Sequence, residues 1–342
     1  MIGSIFLLLS GEHPTLPYAE VRGILRSEGM RYAEVGRGDQ VLLLNPEEGL
    51  EGLLRSRAAL VMEGGPLLGV AGRSMESISR TCNGIDWGFI EGRTFGVRAT
   101  RVKRYWEAAD LQALEKAIGD AVPRSLGARV NLTAPEVWIR AAVSGESVYI
   151  FSLGFRTDRG AFVKRRPKTR PYFHPGVLEP KVSRVFVNLS AARPRDVLLD
   201  PFCGTGGFLI EAAMMGMKAV GVDIDLRMVR GAIKNTKFYG LDCDVVHGDG
   251  TAGPVRGADG IATDPPYGRG ASTGGERVWD LIRGLTRMAR EVLRSGGRIC
   301  FASPSEIEPS SIAEGEGLRV LEEHTMRVHK SLTRAIVVAE SA

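Results

Sequence analysis

The sequence predicts an α/β protein whose second half is built on a mostly parallel sheet with helices on both faces, behind a first half of α+β character. Three observations carry this. After Pro180, strand and helix patterns alternate. Before it, short strands and helices follow one another without that rhythm. Between them lies a basic stretch punctuated by prolines. The 342 residues exceed a typical domain of ~100–200, so two or three domains are expected.

Taken in order, Ile5–Leu9 is an apolar run too short to span a membrane. No basic residue precedes it, so it reads as a first strand and not a signal peptide. Residues 18–28 place Val21, Ile24 and Leu25 at helical spacing. Residues 40–45 form a second strand and 50–60 a second helix. A fresh unit begins near Gly92, with strands at 95–102, 128–132, 136–140 and 147–155 and a helix at 110–122. Between Arg156 and Arg170 there are seven basic residues against one acid, Asp158. Pro167, Pro171, Pro175 and Pro180 punctuate the region, which reads as a linker with little regular structure. Strands then follow at 197–199, 219–223, Cys243–His247, 260–264 and 298–302, with helices at 208–215, 227–238 and 277–293. A final pair, 318–324 and 334–339, suits a hairpin closing the sheet edge. The expected parts are 1–70, a small α+β domain; 71–155; a basic linker at 156–179; and 180–342.

Composition sets limits. With 44% hydrophobic and 25% charged residues, the chain can bury a sizeable core. A net charge of +5 suits a polyanionic partner without establishing one. Cys82, Cys203, Cys243 and Cys300 lie far apart, with no CxxC pair and no His/Cys cluster. That argues against zinc and for reduced thiols, hence a cytoplasmic protein.

Residues 200–207, Asp-Pro-Phe-Cys-Gly-Thr-Gly-Gly, follow one strand and precede one helix. Ligands in such sheets bind at the carboxyl ends of strands, where glycines allow close backbone approach. A plain glycine-rich turn is the bland alternative. Asp223 ends the next strand and can accept both ribose hydroxyls. Asp225 opens a helix and reads as its N-cap. Asp249 follows the third strand; it either accepts from an adenine amino group or stabilises its own turn. A pyrophosphate wants helix N–H groups and no nearby acid. Here the loop opens on Asp200 and departs from GxGxxG, which suits an ammonium and a sulfonium. S-adenosylmethionine is therefore favoured over a dinucleotide, with Asp200, Pro201, Phe202, Gly204, Thr205, Gly206, Asp223 and Asp249 as its expected contacts.

The sharpest motif is Asp264-Pro265-Pro266-Tyr267-Gly268 at the end of the fourth strand. An exocyclic amino nitrogen on a base is a poor nucleophile, because its lone pair is delocalised into the ring. The Asp264 carboxylate and the Pro265 carbonyl can hold its N–H groups and favour a pyramidal nitrogen. Pro265 and Pro266 stiffen the turn before the substrate arrives. Tyr267 offers a face for stacking on the base. The alternative is a proline turn with a core tyrosine.

Residues 200–207, Asp223, Asp249 and 264–267 together resemble a class I, Rossmann-like methyltransferase of the amino-group-modifying type. In the first half, Phe95-Gly96-Val97-Arg98, Arg101, Lys103, Arg104, Val130-Asn131-Leu132 and Val137-Trp138-Ile139-Arg140 resemble a THUMP domain, an RNA-binding module. Residues 170–176 and the tail from Arg327 through Lys330 and Ser331 to Arg334 fit the same family. The whole is similar to the archaeal tRNA (guanine-N2-)-methyltransferases that act at tRNA position 10.

That resemblance implies S-adenosylmethionine as cofactor and tRNA as partner, with one or two methyl groups transferred to one nitrogen. It implies a THUMP domain at 71–155 gripping the acceptor end, and His174 near the cofactor unless it is a structural loop histidine. Arg98, Arg101, Lys103, Arg104, Lys164, Arg165 and Arg166 are the expected RNA contacts; a solvated charged face is the alternative. No metal, no membrane and a monomer are expected. Competing readings are an amino-group methyltransferase acting on rRNA, a protein glutamine methyltransferase, a DNA amino-methyltransferase and a non-catalytic RNA binder.

Overall fold

The computed structural model describes residues 3–252, 255–267, 275–329 and 332–341. Gly268, Lys330 and Ser331 of the motifs above lie outside them. The chain forms two compact units: Met1–Tyr18, Met30–Arg55 and Val61–Thr157 make the first, and Ala19–Gly29, Ser56–Leu60 and Asp158–Ala342 the second. Helices α1 (Leu16–Ser27) and α2 (Leu50–Arg57) each start in the first and end in the second.

The first unit is a nine-stranded sheet of β1 (Ile5–Leu9), β2 (Tyr32–Gly38), β3 (Val41–Pro46), β4 (Val61–Gly72), β5 (Thr94–Arg101), β6 (Arg129–Val130), β7 (Val137–Ser144), β8 (Ser147–Ser152) and β9 (Phe155–Arg156). Its order is β2-β3-β1-β4-β8-β7-β5-β6, with β9 beside β4. Helices α3 (Met75–Asn83) and α4 (Leu111–Asp120) bury Ile78, Cys82, Leu114 and Ile118 against Val97, Ile139 and Ile150. β4 pairs with β1 through Pro66 and with β8 from Leu67 onward, so one strand runs through residue 70. Neither β2 nor β4 follows from the sequence pattern. β2 is mostly exposed and polar, and β4 is rich in glycine.

The second unit holds α5 (Arg159–Lys164), α6 (Pro180–Leu189), β10 (Val197–Asp200), α7 (Gly207–Met214), β11 (Lys218–Asp223), α8 (Leu226–Phe238), β12 (Cys243–His247), β13 (Ala258–Thr263), α9 (Gly275–Val292), β14 (Leu293–Pro304), α10 (Pro309–Gly315), β15 (Arg319–His329) and β16 (Leu332–Glu340). Its sheet runs β12-β11-β10-β13-β14-β16-β15. The first five strands are parallel, and β15 and β16 close the edge as the expected antiparallel hairpin. Strand order reverses between β10 and β13, and a crevice opens at such a point outside the carboxyl ends.

The region read as a linker with little regular structure holds α5 and a short turn of helix at Pro167–Thr169. Asp158 caps α5 by accepting from Ala161 N, and Phe162 is buried. Helix α6 escaped the sequence pattern because its polar residues Ser183, Arg184 and Asn188 are buried along with its apolar ones. Asn188 Nδ2 donates to Glu20 Oε1 at 2.9 Å and to the Arg57 carbonyl at 3.1 Å. Glu20, fully buried, also accepts from Ala59 N and Leu60 N. A Cβ on Gly23 would stand 2.7 Å from the Asn188 carbonyl, so only glycine lets α1 approach α6 this closely. These contacts tie 19–29 and 56–60 into the second unit. Among the described residues no helix is long and apolar enough to cross a membrane, and no cluster of His, Cys, Asp or Glu is arranged to hold a metal.

Candidate active site

At the carboxyl ends of β10, β11, β12 and β13 lies a cavity of about 580 Å³. Of the expected residues, Pro201, Phe202, Gly204, Thr205, Asp223, Asp249, His174, Asp264 and Pro266 line it. Asp200, Gly206, Pro265 and Tyr267 do not.

Gly204 (φ +49°) and Gly206 (φ +83°) take left-handed conformations that let the chain turn from β10 into α7. The Asp223 carboxylate braces this turn: Oδ2 accepts from Gly204 N and Oδ1 from Asp225 N, both at 2.8 Å. Each oxygen keeps a lone pair for a further donor. Asp225 is the N-cap of α8, as expected, accepting from Arg227 N at 2.8 Å; it also reaches the cavity wall. Asp249 Oδ1 accepts from Thr251 N and Thr251 Oγ1, so it does stabilise its own turn while facing the cavity.

Asp200 is fully buried. Its Oδ1 accepts from Thr263 Oγ1 at 2.7 Å and from Phe202 N at 3.2 Å, while Oδ2 has no hydrogen-bond partner among the described residues. Burial, with some repulsion from Asp223 and Asp264, pushes its carboxyl up to about 8. Thr263 was not singled out by sequence, because a strand threonine carries no motif signal.

Asp264 is where the structure adds most. Tyr267 Oη donates to Asp264 Oδ1 at 2.6 Å, and Arg334 Nη2 lies 3.3 Å from Asp264 Oδ2. The Arg334 guanidinium also stands over the Tyr267 ring, 5.5 Å from its centroid. Burial raises the Asp264 carboxyl, and Arg334 and then Tyr267 oppose that rise. Tyr267 therefore orients the carboxylate through its hydroxyl, beyond the stacking role read from sequence. Arg334 belonged to a recognisable tail, yet nothing in the pattern pointed to this place.

The expected RNA-contacting cations divide. Arg104 and Lys164 are exposed. Arg166 is exposed and pairs with Glu179, and Lys103 pairs with Asp39. Arg98 is held by Glu115 and the carbonyls of Val97 and Leu132. Arg101 donates to the Ala109 carbonyl. Arg165 requires a correction: it is buried, with Nε and Nη2 on the two oxygens of fully buried Glu211 at 2.8 and 3.0 Å. An arginine so enclosed is structural and offers RNA no contact.

The cavity also answers which cofactor fits. Its lining carries Asp223, Asp225, Asp249 and Asp264 but no Lys or Arg among the described residues. Such walls repel a pyrophosphate and attract a sulfonium and an ammonium. Residues 167–336 match a family described as "RMKL-like, methyltransferase domain", and residues 72–153 match the THUMP domain. A tRNA (guanine(10)-N2)-dimethyltransferase of Methanothermobacter thermautotrophicus is 36% identical over 340 residues, covering 98% of this chain and 99% of that protein. The chain belongs to this dimethyltransferase family. A second dimethyltransferase of the same name, from Pyrococcus abyssi, is 35% identical over 98% of the chain and 99% of its own length. Among solved structures, TrmN from Thermus thermophilus has a TM-score of 0.55 at 20% identity, covering 99% of this chain and 100% of its own. That likeness shows the fold, that of the class I methyltransferases; S-adenosylmethionine as the cofactor follows from the methyltransferase-domain match and the family.

Proposed function

We propose that the chain methylates the exocyclic N2 amino group of a guanine in tRNA, at position 10, transferring one and then a second methyl group. The observation that carries this is the Asp264–Tyr267 hydrogen bond beside a cavity walled by carboxylates. The archaeal relatives named for guanine 10, aligned over nearly the whole chain, supply the substrate. The THUMP match at 72–153 supports an RNA grip in the first unit, with Arg104 as an exposed cation there. A tRNA substrate suits action in the cytoplasm.

S-adenosylmethionine, when bound, supplies an electrophilic methyl group on its sulfonium. Asp223 would accept ribose hydroxyls with its remaining lone pairs, and exposed Ile224 offers an apolar face at the rim for the adenine. Asp249 keeps Oδ2 for an adenine amino group. Asp264 would accept an N–H of the target nitrogen and so orient it. Buried Pro265 fixes the adjoining backbone. Methylation leaves the target nitrogen with a proton to lose. The carboxylate already holding that N–H is its nearest acceptor.

The test is mass mapping of methylated nucleosides in a tRNA transcript incubated with protein and S-adenosylmethionine. N2-methylguanine and N2,N2-dimethylguanine at position 10 are expected. Asp264→Ala should lower the rate by about 100- to 1,000-fold, the usual cost of removing an aligned hydrogen-bonding group. Methylation confined to another nucleotide would overturn the substrate, and near wild-type turnover by the variant would overturn the role of Asp264.

A further inference from the structure

We propose that Arg334 is a positioning residue for methyl transfer, its guanidinium set against the Asp264 carboxylate and over the Tyr267 ring so that the remaining carboxylate lone pairs are held for the target base. The inference rests on the amino-group methylation proposed above.

Strand β16 runs antiparallel to β14, with Arg334 opposite Pro304, and β14 is parallel to β13. The start of β16 therefore lies at the same sheet end as Asp264. From there Arg334 makes two contacts, 3.3 Å to Asp264 Oδ2 and 5.5 Å to the Tyr267 ring centroid. With Tyr267 Oη on Oδ1, both carboxylate oxygens are pinned and the plane of the group is fixed. Each oxygen keeps a lone pair for an incoming N–H.

The ion pair with Asp264 leaves part of this arginine unaccounted for. Its Nε is buried without a hydrogen-bond partner among the described residues, and it has a single ion pair. By contrast, Arg165 and Arg184 each place two nitrogens on Glu211. A buried guanidinium with a donor left over costs free energy, which points to a use beyond packing. That use follows from the charge. Burial raises the Asp264 carboxyl, and Arg334 is the leading influence against the rise. Only an ionised carboxylate accepts an N–H with both oxygens.

The charged and titratable groups around Asp264 are Arg334 from β16, Tyr267 from its own loop and Asp200 at the end of β10, which in turn faces Asp223 on β11. Arg334 is not among the groups that move Asp200. Removing Arg334 should thus shift the limb of the pH profile that belongs to Asp264, while Tyr267, which Arg334 also holds down, moves further up and away from the range measured.

The experiment measures the single-turnover methylation rate of the full chain on tRNA from pH 5 to 9. Arg334→Met and Arg334→Lys are compared, and calorimetry with S-adenosylhomocysteine checks that each variant retains a folded site. Arg334→Met should move the acidic limb upward by about one pH unit or more, the effect of losing an adjacent opposite charge. At the foot of that limb the rate should fall roughly tenfold for every pH unit the limb moves. Arg334→Lys should restore most of the limb, because the charge returns without the planar fork. Affinity for tRNA should change by less than about twofold. A rate reduced evenly at every pH, or a limb that stays put, overturns the inference. If Arg334→Met binds no S-adenosylhomocysteine, the lysine variant decides alone: a limb moved upward by about one pH unit or more overturns it. Absence of methylation by the wild-type chain would instead sink the functional reading beneath it.

Discussion

At the scale of single residues, carboxylates with different surroundings divide the work. Asp223 spends one lone pair of each oxygen on Gly204 N and Asp225 N, so it shapes the turn that it then helps to bind with. Asp223→Ala should weaken S-adenosylhomocysteine binding by about 1–3 kcal/mol, since two N–H groups lose their acceptor as well. Calorimetry reads this directly, and an unchanged affinity would remove Asp223 from the binding site. Asp200 behaves differently. Pushed up to about 8 by burial, it keeps its proton at neutral pH in the folded chain. In the unfolded chain an aspartate loses its proton near pH ~4. The native state therefore binds the extra proton between those two values, and stability falls as pH rises through that window. Asp200→Asn removes the slope. Its melting temperature should gain on the wild type from pH 5 to pH 8, and parallel curves would contradict the assignment.

The aspartates were legible in the sequence because each closes a strand, and strand ends are where such sheets bind ligands. Arg334 and Thr263 were not legible, because their roles arise from strands distant in sequence meeting at one sheet end. Arg165 was misread for a related reason. A basic run looks solvated until the fold supplies Glu211 as a buried partner.

At the scale of elements, α5, α6 and α7 are joined through that same Glu211, which takes Arg165 from the end of α5 and Arg184 from α6. Breaking a buried pair leaves charge without compensation, typically at a cost of ~3–5 kcal/mol. Glu211→Ala should destabilise the chain on that order in urea unfolding, with two guanidinium groups left stranded. A loss below about 1 kcal/mol would show that water reaches them. The alternating strands and helices from β10 to β14 followed from periodicity. Helix α6 did not, and its burial extends to the polar residues Ser183, Arg184 and Asn188. β4 did not, since its glycines read as loop.

At the scale of the whole molecule, the second unit is not contiguous in sequence. Asn188 is held by Glu20, 168 residues earlier, and by Arg57, 131 residues earlier. Arg57 also donates to the Ala192 carbonyl at 2.8 Å. A fragment of residues 158–342 keeps every residue of the cavity but loses these partners, leaving Asn188 with unpaired polar groups. It should unfold at clearly lower urea than the full chain. Adding a peptide of residues 16–60 should recover part of the difference. A fragment as stable as the whole would mean that these contacts add nothing.

The same discontinuity bears on how the protein is made. A ribosome releases Glu20 and Arg57 long before α6 emerges, so two groups destined for burial wait in water without their partners. Contacts this distant in sequence slow folding, because the loop between them must close before they are formed. Val21, Ile24 and Leu25 of α1 are fully buried in the folded chain. The nascent chain should therefore be a client for holding chaperones until α6 emerges, and a truncation that ends before α6 should aggregate more readily than the full chain.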